Sequence, residues 1–362
     1  MSGGNTHGEA RLIVGMPAGS LANPQRGGNL IRVLENAGFR TSGYESGGPT
    51  SFPGMSFLYG WDGRPQEFGS QLGIDELDVA IAGDDWIRER TLELDIEYGV
   101  KIDLTKVLSL RRGGVRIVGI VDPEYYPVVS GGPEDWREIF SSLAEGGKSL
   151  LTVVSEMPYL ALDWVRRRME ELECLDRFPG YTVQKYKTPP KIERGIVIYE
   201  TWGKTEAKVK NGGADLGIEI TQSGSAIRNY GLAIIDTLME SETGIWIHPR
   251  VTEDPGKHVL LEMLLVNLYG TINAENKVLV VFNVPNDRNA DVEEYLKSNN
   301  LFGDEPTVTK GASFTEYSIQ LDVTNRENPI ARVRYSLARL GAKNIDTVPL
   351  TSSIPSIDCI DL

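Results

Sequence analysis

The chain has 362 residues, 40% hydrophobic and 24% charged, the make-up of a globular protein large enough for two or three domains. Its net charge of −14 argues against non-specific nucleic-acid binding, which needs a surplus of lysine and arginine on some face, but leaves a local anion site open. No apolar run of membrane-spanning length is present, and "MSGGNTHGEAR" has neither the basic start nor the apolar centre of a secretory signal, so neither nucleic acid nor membrane is an expected partner. Cys174 and Cys359 are far apart and the histidines His7, His248 and His258 lack zinc-type spacing, as in a reduced cytoplasmic protein without a His/Cys metal site.

In chain order, "RLIVGMP" (11–17) reads as a buried strand, and "GNLIRVLENAGF" (28–39) as a helix that stops at Gly38. "LDVAIAGDDWIRER" (77–90) reads as a strand, a loop with paired acids and a helix start. "GVRIVGIVDP" (114–123) and "SLLTVVSEMP" (149–158) are short apolar strands, and "YLALDWVRRRMEEL" (159–172) is a helix. "ERGIVIYET" (193–201) and "ADLGIEIT" (214–221) continue the alternation, which indicates an α/β architecture with mostly parallel sheets and ligands at the carboxyl ends of the strands.

After a break at "PRVTEDPGK" (249–257), a helix over 258–276 leads into a different pattern. "KVLVVFNVP" (277–285), "EPTVTKG" (305–311), "TEYSIQLDV" (315–323) and "NIDTVPL" (344–350) read as strands, with helices over 290–300 and 328–341. This β-α-β-β-α-β order is the ferredoxin-like arrangement and marks a separate C-terminal domain. No internal repeat is visible.

The stretch "EITQSGSAIRNYGL" (219–232) packs small residues around one glycine between a strand and a helix. Ser223, Gly224 and Ser225 can present backbone N–H groups to a phosphate, with the following helix adding its positive end. The same composition also suits an ordinary turn with an N-capping serine. Asp84 and Asp85 close another strand; they are either cleft residues or the cap and first turn of a helix. Arg111, Arg112 and Arg116 flank a strand, as cleft-lining cations or as a surface cluster. Trp61, Trp86 and Trp202 adjoin loops, as base-stacking walls or as packing residues.

Taken together, "GGADLGIEITQSGSAIRNYGL" (212–232), "RLIVGMPAGSL" (11–21), "RPQEFGSQLGIDELDVAIAGDDWIRE" (64–89), "LLTVVSEMPYLALDW" (150–164), "YETWGKTEAKVKNGGADL" (199–216) and "GTINAENKVLVVFNVP" (270–285) resemble, in order, the motifs of ATP phosphoribosyltransferase, the first enzyme of histidine biosynthesis. The resemblance covers roughly residues 10–352 and is to the long form. It implies a two-lobed phosphoribosyltransferase core, like that of periplasmic binding proteins, with a C-terminal ferredoxin-like regulatory domain. The lobes would comprise residues 10–112 with about 233–250, and residues 113–232, followed by a third domain at 275–352. The resemblance further implies an allosteric homo-oligomer, dimer or hexamer, whose third domain binds histidine.

The implied reaction is displacement of pyrophosphate from phosphoribosyl pyrophosphate by ATP or a related nitrogen heterocycle, with Mg²⁺. A non-catalytic ligand-binding or regulatory paralogue is the alternative. By resemblance, Thr221, Gln222, Ser223, Gly224, Ser225 and Ala226 would hold the 5′-phosphate. Glu219 would orient the ribose hydroxyls, with Gly203, Lys204, Thr205 and Glu206 beside the sugar. Arg64 would contact a nucleotide or phosphate, and Asp84, Asp85, Gly19 and Ser20 would line the cleft. Where the family has "PKGR" this chain has "PAGS", placing Ala18 and Ser20 where two cations are expected; Arg26 is a candidate replacement. Ala226 stands where the family has a threonine.

Overall fold

The computed structural model of the protein describes residues 10–18, 29–128, 135–302 and 307–362. Gly19, Ser20 and Arg26 lie outside the described residues. The chain divides into two compact units. One holds Thr41–Leu261 with the chain before Arg32 and Leu362; the other holds Arg32–Arg40 with Glu262–Asp361.

In the first unit the described strands are β1 (Leu12–Pro17), β2 (Leu58–Gly63), β3 (Val79–Gly83), β4 (Thr105–Val121), β5 (Leu150–Ser155), β6 (Tyr181–Lys185), β7 (Gly195–Glu200), β8 (Leu216–Thr221) and β9 (Ala233–Ile247). They form one sheet in the order β2-β1-β3-β9-β4-β8-β5-β7-β6. Strands β1, β2 and β3 run parallel in one group, and β5, β6, β7 and β8 in another. The inner strands β1, β3, β5 and β7 are covered on both faces, which is why they read as unbroken apolar runs. The described helices of this unit include α2 (Pro65–Gly73), α3 (Asp84–Tyr98), α4 (Trp136–Glu145), α5 (Pro158–Glu171), α6 (Thr205–Lys210) and α7 (Ser225–Asn229). Before them, α1 (Leu30–Asn36) ends as expected just short of Gly38, which sits at φ 87°.

Between the two parallel groups lie β4 and β9, of 17 and 15 residues, paired antiparallel to each other. One end of this ribbon pairs β9 with β3, and the other end pairs β4 with β8. Only the part of β4 within the expected strand 114–123 is legible in the sequence. The additional length is stabilised by pairing of Thr105–Arg112 with β9 rather than by apolar character. Helix α3 starts directly at Asp84, with Gly83 as its N-cap, so the acidic pair opens the helix and no loop separates it from β3.

No repeat is visible in the sequence, but the strand order of the two parallel groups is related. In one lobe β1 lies between β2 and β3, and in the other β5 lies between β7 and β8, with β6 added outside β7. Each also carries an aspartate just ahead of the last of these three strands, β3 or β8, in "ELDVAIAG" and "GADLGIEI". Asp78 accepts the Ile13 N–H at 2.8 Å while its own N–H donates to the Ile13 carbonyl at 2.9 Å. Asp215 repeats the pattern on Thr152, accepting its N–H at 2.9 Å and donating back at 2.9 Å. The repeat is one of topology and hydrogen bonding, and almost none of it survives in residue identity.

Glu89 on α3 ties the lobes together. Its carboxylate accepts the N–H groups of Tyr159 at 3.0 Å and Leu160 at 2.7 Å, capping the N-terminus of α5. Asp236 on β9 accepts from Trp164 Nε1 at 2.7 Å and from Arg168 Nε at 2.8 Å, fixing the body of α5.

The helix α8 (Pro255–Ala274) leads into the strands of the second unit. These are β10 (Lys277–Pro285), β11 (Thr307–Lys310), β12 (Phe314–Asp322) and β13 (Lys343–Pro349), with helices α9 (Asn289–Ser298) and α10 (Ile330–Arg339). The order β11-β12-β10-β13 is antiparallel throughout and is the ferredoxin-like one. β10 alternates buried and half-exposed residues, as expected of a sheet with one face on a core. Val280, Phe282, Val284, Tyr317, Leu296, Val333 and Leu337 form that core, with Phe282 and Tyr317 stacked at 5.6 Å.

Candidate active site

The sheet register decides where the strand ends meet. Gly83, the carboxyl end of β3, pairs with Thr243 of β9. Thr221, the carboxyl end of β8, pairs with Arg116 of β4. In the ribbon itself Arg112 faces Thr243 and Arg116 faces Glu240. The carboxyl ends of both parallel groups therefore converge on one stretch of the ribbon, where the register shifts and Arg111 and Gly113 adopt φ of 52° and 64°. A cavity of about 480 Å³ opens there, lined by Asp84, Arg116, Gln222, Glu240 and Glu242 among others.

Beyond β8 the chain turns through Gly224, at φ 71°, into α7. Thr221 Oγ1 accepts the Gly224 N–H at 2.8 Å, and Ser223 Oγ accepts the Ser225 N–H at 3.3 Å. The Ser223 and Ser225 hydroxyls meet at 3.0 Å, and Arg228 donates to the Ser223 carbonyl at 2.9 Å. Side chains thus shape the turn from within. Gln222, Ser223, Ser225 and Ala226 are exposed, and the first-turn N–H groups of Ala226 and Ile227 have no intrahelical acceptor. The arrangement contains both readings of the sequence: a side-chain-braced turn, and an open helix start beside it.

Beyond β7, Gly203 and Lys204 both take left-handed backbone conformations, at φ 74° and 59°. For a non-glycine residue this costs about 1–2 kcal/mol, and such strain collects at functional sites. Lys208 donates to the Gly203 carbonyl and, at 3.3 Å, to that of Lys204, which holds the turn in this shape. Thr205 is then wholly buried at the start of α6, and its Oγ1 has no hydrogen-bond partner among the described residues. Glu206 follows it, while Lys204 is exposed.

Glu219 sits on β8, opposite Val118. Burial, then the charges of Glu206 and Glu156, raise its pKa from 4.5 to about 7; the Thr205 hydroxyl opposes the rise without making a full hydrogen bond. Structure therefore brings Glu219, Glu206 and Thr205 together, and adds Glu156, which the sequence did not single out. Glu156 is the first residue after β5, and it lies 3.4 Å from where a Cβ on Gly203 would stand. The signal that could have found it is the rule that sites follow parallel strands, applied to "VVSEMP".

Several expected contacts serve the frame as well. Asp84 pairs with Lys106 at 2.9 Å and accepts the Glu242 N–H at 3.0 Å. Asp85 is buried, accepts the Trp86 N–H at 2.9 Å, and its own N–H donates to Ser241 at 3.1 Å; burial raises its carboxyl above the usual range. The acidic pair thus makes the helix-start contacts that were one of its two readings. Arg64 is exposed as the N-cap residue of α2, with no ion pair among the described residues. Trp61 packs on a core cluster, whereas Trp86 and Trp202 wall a second cavity of about 230 Å³ with Glu89, Glu156, Tyr159 and Thr201. Glu89 is raised to about 8, by burial above all.

Among the described residues no three histidine, cysteine or acidic side chains are grouped so as to hold a metal ion. No described helix is long and apolar enough to cross a membrane.

The ATP phosphoribosyltransferase family model matches residues 64–270. The ATP phosphoribosyltransferase of Trichlorobacter lovleyi is 30% identical over 293 residues, covering 80% of this chain and 83% of that protein. ATP phosphoribosyltransferase 1 of Geobacter sulfurreducens is 26% identical over 354 residues, covering 95% and 99%. Among solved structures, the ATP phosphoribosyl transferase (HisG:HisZ) complex from Thermotoga maritima aligns at a TM-score of 0.46 and 15% identity, covering 71% of this chain and 98% of that one. On the family match and the relatives by sequence, the chain belongs to the ATP phosphoribosyltransferase family.

Proposed function

We propose that the protein transfers the 5-phosphoribosyl group of phosphoribosyl pyrophosphate to a ring nitrogen of ATP, releasing pyrophosphate, as a step of histidine biosynthesis. The observation that carries this reading, beside family membership, is the convergence of the β8–α7 turn, Glu219 and the Gly203–Glu206 turn at one sheet crossing. The open first turn of α7, with the Ser223 and Ser225 hydroxyls, offers donors for the 5′-phosphate. Glu219 accepts from the ribose hydroxyls, with the Glu206 carboxylate close to it and the Thr205 hydroxyl facing it. The sugar passes through an oxocarbenium-like state, which the Glu219 and Glu206 carboxylates stabilise by charge. The fixed strand ends supply alignment of nucleophile and leaving group.

Mg²⁺ belongs to this reading as a companion of the substrate's phosphates, where it neutralises the leaving group. Such an ion keeps most of its ligands from phosphate and water, and Glu219 and Glu206 are the carboxylates that would stand beside it. In the same reading residues 10–112 with 233–250, and 113–232, act as the two catalytic lobes. Residues 275–352 are the allosteric, histidine-binding domain of a cytoplasmic homo-oligomer, dimeric or hexameric. Incubation with phosphoribosyl pyrophosphate, ATP and Mg²⁺ tests the proposal. Pyrophosphate is released only when both substrates are present; no release contradicts it.

A further inference from the structure

The cavity walled by Trp86, Tyr159 and Trp202 has flat aromatic sides suited to a heterocyclic ring, and Trp202 is 74% exposed. Its carboxylates differ in their commitments. Glu89 is used by two N–H groups of α5, Glu93 pairs with Arg90 at 2.6 Å, and Glu200 pairs with Lys185 at 2.6 Å. Glu156, half-buried, makes no hydrogen bond or ion pair among the described residues. It also stands at the boundary between this cavity and the sugar site, beside Gly203 and within charge range of Glu219. A second unsatisfied group stands on the sugar side: the wholly buried Thr205 hydroxyl, which faces Glu219. A carboxylate held partly out of water without a donor is costly, and a donor on a bound ligand relieves that cost.

Resting on the phosphoribosyl-transfer reading, we propose that Glu156 faces the acceptor ring and takes the amino proton released on ring-nitrogen substitution, so that the site selects an acceptor bearing an amidine, a ring nitrogen next to a C–NH₂ carbon. The ring nitrogen's lone pair forms the bond to C1 of the sugar as the C1–O bond breaks, and that bond's electron pair leaves with pyrophosphate. The ring then carries an amidinium, whose positive charge is shared with the exocyclic nitrogen. Glu156 stabilises that charge and accepts one N–H proton, which leaves a neutral imine and passes on to water. A 6-oxo ring has no such proton to give at that position.

The test compares wild type, E156Q and E156D with ATP and with its 6-oxo analogue, inosine triphosphate, by pyrophosphate release. Expected are a fall in kcat of about 100-fold in E156Q with ATP, a KM for phosphoribosyl pyrophosphate within about twofold of wild type, and partial recovery in E156D. Wild type prefers ATP over the 6-oxo analogue, and E156Q narrows the preference. Wild-type kcat in E156Q, or a loss confined to KM for phosphoribosyl pyrophosphate, overturns the role of Glu156 alone. Equal wild-type rates with the two nucleotides overturn it without any variant. If wild type releases no pyrophosphate with either, the transfer reading fails and this proposal with it.

Discussion

Replacing Glu219 with glutamine separates its two effects by sign. Burial and the neighbouring acids raise its pKa from 4.5 to about 7, a difference on the order of 3 kcal/mol between the charged and neutral forms. Because the folded value lies above the unfolded one, the folded state loses stability as pH climbs from about 4.5 to about 7. E219Q therefore matches wild type near pH 4 and exceeds it above pH 7, by up to roughly 3 kcal/mol. Activity moves the other way, since the ionised carboxylate accepts from the ribose hydroxyls. About a tenth of it is ionised at pH 6 and about nine tenths at pH 8, so kcat/KM rises about tenfold across that range. Loss of a charged hydrogen bond, about 1.5–3 kcal/mol, lowers E219Q by roughly ten- to a hundredfold at pH 8. Pyrophosphate release and thermal melts across this range supply both readouts. Substrate phosphates also titrate near pH 6, but equally for both proteins, so the ratio of the two profiles isolates the residue. A ratio independent of pH, with melting curves that stay parallel, refutes the assignment.

Glu89, raised to about 8 by burial, penalises the folded state between about pH 4.5 and 8 in the same way. E89Q, which keeps an acceptor oxygen for one of the two α5 N–H groups and leaves the other facing an amide NH₂, flattens that decline at some uniform cost in stability, and denaturant midpoints at pH 5 and pH 9 that shift equally in both proteins exclude it. In G224A the new Cβ meets Arg228 Nη1 at 3.1 Å on a backbone at φ 71°. The strain of about 1–2 kcal/mol should appear as a higher KM for phosphoribosyl pyrophosphate with an intact fold by circular dichroism; an unchanged KM removes the turn from the phosphate site.

What the sequence discloses follows from how each element is buried. β3, β5, β7 and β8 are covered on both faces and read as apolar runs; β10 and β12 have one covered face and read as alternation. β9 was not legible because its middle, Glu240–Thr243, carries polar residues that line the strand crossing. Long-range pairing with β4 and β3, not local pattern, makes it a strand. The acidic pair was readable as either cleft or cap because both sit at the same strand end, and only the contacts of Asp84 with Lys106 and of Asp85 with the Trp86 N–H separate the roles. Glu156 lies with Met157 between a strand and Pro158, where no small-residue run marks it. The duplicated Asp78 and Asp215 devices were hidden because they need only one shared side chain each.

Pyrophosphate release from phosphoribosyl pyrophosphate in the presence of ATP and Mg²⁺ decides whether the protein catalyses phosphoribosyl transfer. Release is expected to require both substrates and to yield one nucleotide adduct per pyrophosphate. Binding of either substrate without any release, in a folded protein at pH 8, contradicts it.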